Sequence, residues 1–300
     1  MMNKNYAICL DVGGTSLKSA IVNSHGKIMG NSYKQVPMDT QGVAEKVLNV
    51  FISTISLHIN YLYNMGIKPY GVGIGMPGPF DYEKGICWIE PEQHKFRSLY
   101  GFNLKKEFIN KLNFNNIKFE NDAWTFLRGE VWVGAAKGFN KIIGLTLGTG
   151  LGSAFFSDNN IIDGGESIPP LGWIGGMPYG EGIVEHKLTR RWIISRYQEI
   201  MNDYTLDVDV IDVANKAKGG DKTCINIFEE MGQRLGRILN PIATKFNAEC
   251  IVIGGQISKS FSLFENALIK QLDSIKTIRK ISPAKHIDLS PIYGAAKLIF

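Results

Sequence analysis

Cysteine is scarce in this chain of 300 residues: Cys9, Cys87, Cys224 and Cys250 stand far apart, with no C-x-x-C pair and no histidine cluster beside them. That excludes a disulfide scaffold and a cysteine-built structural zinc site, and it predicts reduced, buried thiols in a cytoplasmic protein. Runs of one charge sign are missing as well. Lys and Arg total 33 against 28 Asp and Glu, a net charge of +5 spread along the chain, so the basic stripe that nucleic acid requires is absent. No window is long and apolar enough to span a membrane, and Met1-Met2-Asn3-Lys4-Asn5-Tyr6 passes into a strand-like run without a signal-peptide core. The expectation is a cytosolic chain with neither a membrane nor a nucleic-acid partner. With 44% hydrophobic and 20% charged residues, disorder and collagen-like structure are excluded, and a length of 300 at roughly 150 residues per domain suggests two domains.

What the chain has is glycine, 33 residues, several of them at the ends of apolar runs. Tyr6-Ala7-Ile8-Cys9-Leu10-Asp11 leads into Val12-Gly13-Gly14-Thr15, and Leu17 to Val22 resumes a strand pattern before Ser24-His25-Gly26-Lys27 turns the chain. Strand, glycine turn and strand predict a hairpin. Walker phosphate loops and dinucleotide fingerprints need a helix directly after their glycines, and Ser19-Ala20-Ile21-Val22 is a poor helix start, so both are excluded. The same design recurs half a chain later, where Ile142-Ile143-Gly144-Leu145-Thr146-Leu147 ends in Gly148-Thr149-Gly150-Leu151-Gly152 and Ser153-Ala154-Phe155-Phe156 resumes as a strand. Asp11 falls on Thr146, Gly13 on Gly148, and Ser19-Ala20 on Ser153-Ala154 after a one-residue gap. This repeat predicts two related domains, each offering a glycine hairpin of backbone N–H groups to one polyphosphate across a cleft.

Elsewhere, Val43, Val47, Val50, Phe51 and Ile55 predict an amphipathic helix over 41–64, and Tyr70 to Gly75 predicts a buried strand closed by Met76-Pro77-Gly78-Pro79. Helices are expected around 227–246, 260–275 and 293–300, with a strand at Cys250 to Gly255, while the Gly- and Pro-rich stretch 160–192 reads as a loop over the cleft. Lys18 lies just beyond the first turn, where a cation can reach a phosphate, and Asp11 with Thr15 can hold a hydrated Mg²⁺. Glu120-Asn121-Asp122-Ala123 precedes a helical stretch; Asn121 or Asp122 reads as a helix cap, and a second reading, compatible with the first, makes Asp122 an ionised carboxylate able to take a proton from a substrate hydroxyl. Pro77-Gly78-Pro79-Phe80-Asp81 is a rigid turn, and Gly254-Gly255 is either a strand-to-helix turn or bare backbone against which a nucleobase can lie. His25, His58, His94 and His286 read as surface residues, and His186 beside Glu185 stays unassigned.

Taken together, Asp11-Val12-Gly13-Gly14-Thr15 with Lys18, Gly73-Ile74-Gly75-Met76-Pro77-Gly78-Pro79-Phe80-Asp81, Asn121-Asp122-Ala123 followed by Gly129-Glu130, Thr146 to Gly152, and Ile251-Val252-Ile253-Gly254-Gly255 resemble the ROK family of bacterial sugar kinases from end to end. The resemblance implies an α/β, actin-like ATPase fold of two RNase H-like lobes with ATP and a hexose in the cleft. The lobes would be 1–121, completed by a C-terminal helix at about 289–300, and 122–288. It implies that Gly13, Gly14, Thr15 and Lys18 form the first phosphate loop with Asp11 near the metal, that Gly148, Thr149 and Gly150 form the second, and that Gly254 and Gly255 flank the nucleoside. Asn121, Gly78 and Glu185 would contact the sugar, and Asp122 would be the general base.

Two departures from the family pattern concern the acceptor. Where many members carry G-E-x-G-H and then a cysteine-rich zinc loop, this chain reads Gly172-Trp173-Ile174-Gly175-Gly176 and then Met177-Pro178-Tyr179-Gly180, so no zinc is expected. The usual glutamate and histidine align with Trp173 and Gly176; in the alignment suggested by the polyphosphate glucokinases of the family, Trp173 replaces the histidine. Trp173 either stacks on a pyranose or simply packs its loop. The reading is an ATP- and Mg²⁺-dependent hexose kinase, glucose 6-hydroxyl first. The alternatives are another acceptor such as an amino sugar, polyphosphate as donor, or a non-catalytic sugar-binding regulator, and a homodimer is common among such proteins.

Overall fold

The computed structural model describes residues 5–93 and 95–300, and His94 lies outside the described residues. The chain divides into two units, Met1–Val133 with Leu289–Phe300, and Gly134–Asp288.

In the first unit the strands β1 (Tyr6–Val12), β2 (Ser16–Asn23) and β3 (Lys34–Pro37) form an antiparallel meander. Helix α1 (Ala44–Asn64) follows, then β4 (Gly71–Met76), a two-residue hairpin of β5 (Phe80–Asp81) and β6 (Ile86–Cys87), helix α2 (Leu104–Leu112), β7 (Ile117–Asn121) and helix α3 (Asp122–Val133). The sheet order is β3-β2-β1-β4-β7, with β1, β4 and β7 parallel. Alternation along the strands sorts side chains onto two faces. Ile8, Leu10, Val12, Leu17, Ile21, Val72 and Ile74 join Phe51 and Ile55 of α1 and Phe108 of α2 in one core.

The second unit repeats the plan. Strands β8 (Ile142–Leu147), β9 (Leu151–Ser157) and β10 (Asn160–Ile162) are antiparallel. A small hairpin of β11 (Pro178–Tyr179) and β12 (Gly182–Ile183) comes next, then α4 (Arg190–Met201), α5 (Val210–Lys218), α6 (Lys222–Phe246), β13 (Cys250–Gly254), α7 (Glu265–Leu272) and β14 (Lys280–Pro283). The order β10-β9-β8-β13-β14, with β8, β13 and β14 parallel, matches that of the first sheet strand for strand. The Asp221 carboxylate caps α6 by accepting the Cys224 N–H at 3.0 Å, which starts that helix earlier than its apolar pattern predicts. The stretch 160–192 carries strand β10, the β11–β12 hairpin and several helical turns in place of a plain loop, and the stretch 260–275 is a 3₁₀ segment that breaks before α7.

Helix α8 (Ser290–Ile299) belongs to the first unit, where Ile292, Ala295, Ala296 and Ile299 cover the sheet face carrying Ala7, Cys9, Ala20 and Val22. The alternate glycines of β4 explain the closeness of this layer: a Cβ on Gly73 would overlap the Ala295 carbonyl, and one on Gly75 would stand 2.7 Å from Thr125 Oγ1. Gly129 of α3 abuts the Ser290 carbonyl, and Gly294 of α8 abuts that of Thr125, so the two helices touch backbone to backbone. This packing holds α3 against α8, and both belong to the first unit.

One histidine departs from expectation. His58 is buried on the inner face of α1, in the stripe with Ile55, Ile59 and Leu62, and its Nε2 pairs with the buried Ser19 hydroxyl at 2.9 Å. A polar side chain is tolerated there because its partner is buried with it. Burial, reinforced by the Lys34 charge, pushes the imidazole down to about 4. His25 and His186 are exposed and His286 is half-buried. All four cysteines are buried. Among the described residues no helix is long and apolar enough to cross a membrane.

Candidate active site

Parallel strands bring the ends of β1, β4 and β7 to one edge of the first sheet, the edge where ligands of such sheets bind. Asp11, Gly78, Asn121 and Asp122 all stand there. The β1–β2 hairpin closes with Val12 opposite Leu17 and a Gly13 N–H to Ser16 carbonyl bond of 2.9 Å. Gly14 and Thr15 at its tip are exposed, and among the described residues their backbone N–H groups donate to nothing in the chain. Such a tip can donate hydrogen bonds to phosphate oxygens. Asp11 and Lys18 are direct cross-strand neighbours, their charges 3.9 Å apart, so Lys18 partly neutralises the carboxylate.

Asn121 is a helix cap. Its Oδ1 accepts the Ala123 N–H at 3.0 Å and the Trp124 N–H at 3.4 Å, while its Nδ2 donates to the Tyr82 hydroxyl at 3.1 Å. Tyr82 in turn donates to the Met76 carbonyl at 3.1 Å and packs against Phe80 and Trp124. Gly78 fits under this pair, since a Cβ there would lie 3.0 Å from the Tyr82 hydroxyl and 3.9 Å from Asn121 Nδ2. The Gly78–Pro79 peptide is cis.

Asp122 Oδ1 accepts the Ala123 N–H at 2.9 Å. Burial pushes its carboxyl above the usual carboxylate range, against the opposing effects of the Lys95 charge and the N–H groups of Ala123 and Asp122 itself. Desolvation is the largest of these effects and outweighs the N–H groups at the start of α3 in setting the direction of the shift. Behind Asp122, Arg128 donates from Nε and Nη2 to the two oxygens of the buried Glu120 at 2.9 and 2.6 Å. Further along α3, the buried Glu130 bonds the Ser290 hydroxyl at the start of α8.

In the second unit the β8–β9 hairpin is one residue shorter, with Leu147 opposite Leu151 and Gly148 N–H bonded to the Gly150 carbonyl at 3.0 Å. Thr149 and Gly150 are exposed, and among the described residues their N–H groups likewise have no partner in the chain. Both polar groups of Leu151 are held from outside: Glu185 Oε2 accepts its N–H at 2.8 Å, and Trp173 Nε1 donates to its carbonyl at 3.1 Å. Trp173 lies along Gly175 and Gly176, where any Cβ would strike the ring, and is otherwise 45% exposed. Gly254 pairs with Thr146 across β13 and β8. Gly255 has φ +79°, and a side chain there would overlap the Leu147 carbonyl, so glycine is required beside the second hairpin.

Each unit thus gathers its own set. Asp11, Gly13, Gly14, Thr15, Lys18, Gly78, Asn121 and Asp122 share one sheet edge, and Gly148, Thr149, Gly150, Trp173, Glu185, Gly254 and Gly255 surround the end of β8. Sequence reasoning misses Tyr82, because nothing local marks a tyrosine after a turn as the support of an asparagine 39 residues on. Among the described residues no group of three or more His, Cys, Asp and Glu is arranged to hold a metal. A site with one carboxylate suits an ion that keeps most of its waters and is carried by phosphates.

The chain is 27% identical to a glucokinase of Thermotoga maritima, covering 99% of this chain and 98% of that one. It is 25% identical to an N-acetyl-D-glucosamine kinase of Aliivibrio salmonicida, covering 96% and 97%. The crystal structure of a ROK family glucokinase from Streptomyces griseus in complex with glucose and AMPPNP superposes with a TM-score of 0.78 at 20% identity, over 98% of this chain and 99% of that one, and shares the actin-like ATPase fold. With residues 7–300 matching the ROK family, the chain belongs to that family.

Proposed function

We propose that this protein is an ATP- and Mg²⁺-dependent hexose kinase that transfers the γ-phosphoryl group to a sugar hydroxyl, the 6-hydroxyl of glucose first. The observation that carries this reading is Asp122, a desolvated carboxylate at the start of α3 with one oxygen fixed by the Ala123 N–H. Its Oδ2 is the proton acceptor: as the sugar oxygen bonds to the γ-phosphorus and the bond to the β,γ-bridging oxygen breaks, the hydroxyl proton passes to Oδ2 and ADP leaves. Burial makes this carboxylate a stronger base than one in water. Asn121 holds Asp122 at the helix start and keeps its second Nδ2 hydrogen for a sugar hydroxyl. The unpaired N–H groups of Gly14 and Thr15, and of Thr149 and Gly150, bind phosphate oxygens. Mg²⁺, when bound, neutralises phosphate charge, and Asp11 would meet it through water. Gly254 and Gly255 take the nucleoside.

The names of the relatives support both glucose and N-acetylglucosamine as acceptors, so the acceptor is the point to test. Phosphoryl transfer is measured from ATP and, separately, from polyphosphate to glucose, mannose, glucosamine, N-acetylglucosamine and N-acetylmannosamine. ATP-dependent turnover with glucose as the best acceptor is expected. Turnover on no sugar in the panel would refute the kinase reading, and a higher kcat/KM for an amino sugar would move the acceptor assignment.

A further inference from the structure

The two phosphate hairpins are aimed by different devices. In a trans peptide the C=O and the following N–H point in opposite directions, so whatever grips the carbonyl also directs the amide. At the second hairpin the Gly148 carbonyl accepts the backbone N–H of Arg190, the first residue of α4, at 2.8 Å, and the Thr149 N–H points the other way. At the first hairpin the Gly14 carbonyl accepts the hydroxyl of Thr40 at 2.9 Å. The neighbouring carbonyl, that of Thr15, accepts the Met38 N–H at 3.0 Å. One side chain therefore does at Gly14 what the main chain does at Gly148.

Thr40 is itself held in place. It is buried, at 5% exposure, and its carbonyl accepts the Phe96 N–H at 2.6 Å. Phe96 is fully buried in the left-handed conformation with φ 52°. Two residues on, the Ser98 hydroxyl donates to the Gly42 carbonyl at 2.8 Å. The segment around residue 40 is thus clamped between the hairpin and the 96–98 turn, and the Thr40 hydroxyl has little freedom to turn elsewhere.

We propose that Thr40 is a positioning residue for phosphate binding: its hydroxyl fixes the Gly14–Thr15 peptide so that the Thr15 N–H faces outward, ready for a phosphate oxygen. The role rests on the kinase reading above, in that the ligand is the polyphosphate of a nucleotide. Without the hydroxyl the Gly14–Thr15 peptide can also turn its carbonyl outward, and that form repels phosphate. Preorganisation of a single hydrogen bond of this kind is worth roughly tenfold in affinity.

The test compares wild type with Thr40→Val, which keeps the shape and removes the hydroxyl, and Thr40→Ser, which keeps the hydroxyl. Binding of Mg-ADP is measured by calorimetry, KM for ATP and for the sugar by steady-state kinetics, and folding by thermal melting. Thr40→Val is expected to weaken Mg-ADP binding and raise KM for ATP about tenfold, with the sugar KM within twofold of wild type and Thr40→Ser restoring the nucleotide values. A merely structural role would move both KM values and the melting temperature together. Should the valine variant fail to fold, Thr40→Ala gives the same comparison without the added methyl. Wild type that binds no nucleotide overturns the kinase reading and this inference with it; wild type that binds, beside a folded Thr40→Val or Thr40→Ala that binds equally well, overturns the inference alone.

Discussion

The amide of Asn121 is anchored by the hydroxyl of Tyr82, 3.1 Å away, which leaves the asparagine a helix cap on one side and an oriented donor on the other. The phenol is held by its own bond to the Met76 carbonyl at the end of β4, so the turn after β4 and the start of α3 are tied through one side chain.

Tyr82→Phe keeps the ring contacts with Phe80 and Trp124 and removes only the hydroxyl. The sugar KM is expected to rise about three- to tenfold with the ATP KM unchanged, the scale of one lost neutral hydrogen bond. Steady-state kinetics with each substrate varied in turn checks it; an unchanged sugar KM would separate Tyr82 from the acceptor.

Asp122→Asn should lower kcat by roughly 10²-fold or more, as loss of a general base does. Stability should move the other way. The folded carboxyl titrates above its ordinary 3.8, so it favours the folded state below pH 3.8 and withdraws that contribution as pH rises through the raised value. Neutral Asn removes the penalty, and the variant should melt higher than wild type at pH 7 and equal it near pH 3. A variant that is both active and less stable contradicts the assignment.

His58 has the opposite sign. Its folded value is depressed to about 4 from 6.5, so the stability it contributes is complete above pH 6.5 and is lost as pH falls through 4. Urea unfolding at pH 7 and pH 4 is expected to show a smaller loss for His58→Gln than for wild type; equal losses in the two proteins would mean that other groups carry the acid sensitivity.

Gly73→Ala tests the backbone contact between β4 and α8. The new methyl would meet the Ala295 carbonyl, which cannot swing aside as a flexible side chain would. A loss of about 3 kcal/mol or more is expected, at the high end for single substitutions. Measured by denaturant midpoint, a near-neutral variant would show that α8 can lift away from the sheet.

Local order is what the sequence by itself determined. Alternating and helical periodicities are properties of neighbouring residues, so β1, β4 and α1, the two glycine hairpins and the repeat that predicts two related sheets could all be read from it. The cap at Asn121 was legible as one of two readings, because a cap needs only the residues that follow it. Tertiary structure decided the rest. Tyr82 reaches Asn121 from 39 positions away, Thr40 reaches Gly14 from 26, His58 reaches Ser19 from 39, and the glycines of β4 are explained only once α8 and α3 lie on them. Each of these contacts depends on strand register and on how helices cross a sheet. A pattern of apolar residues specifies which face of an element is buried, and leaves open which partner buries it.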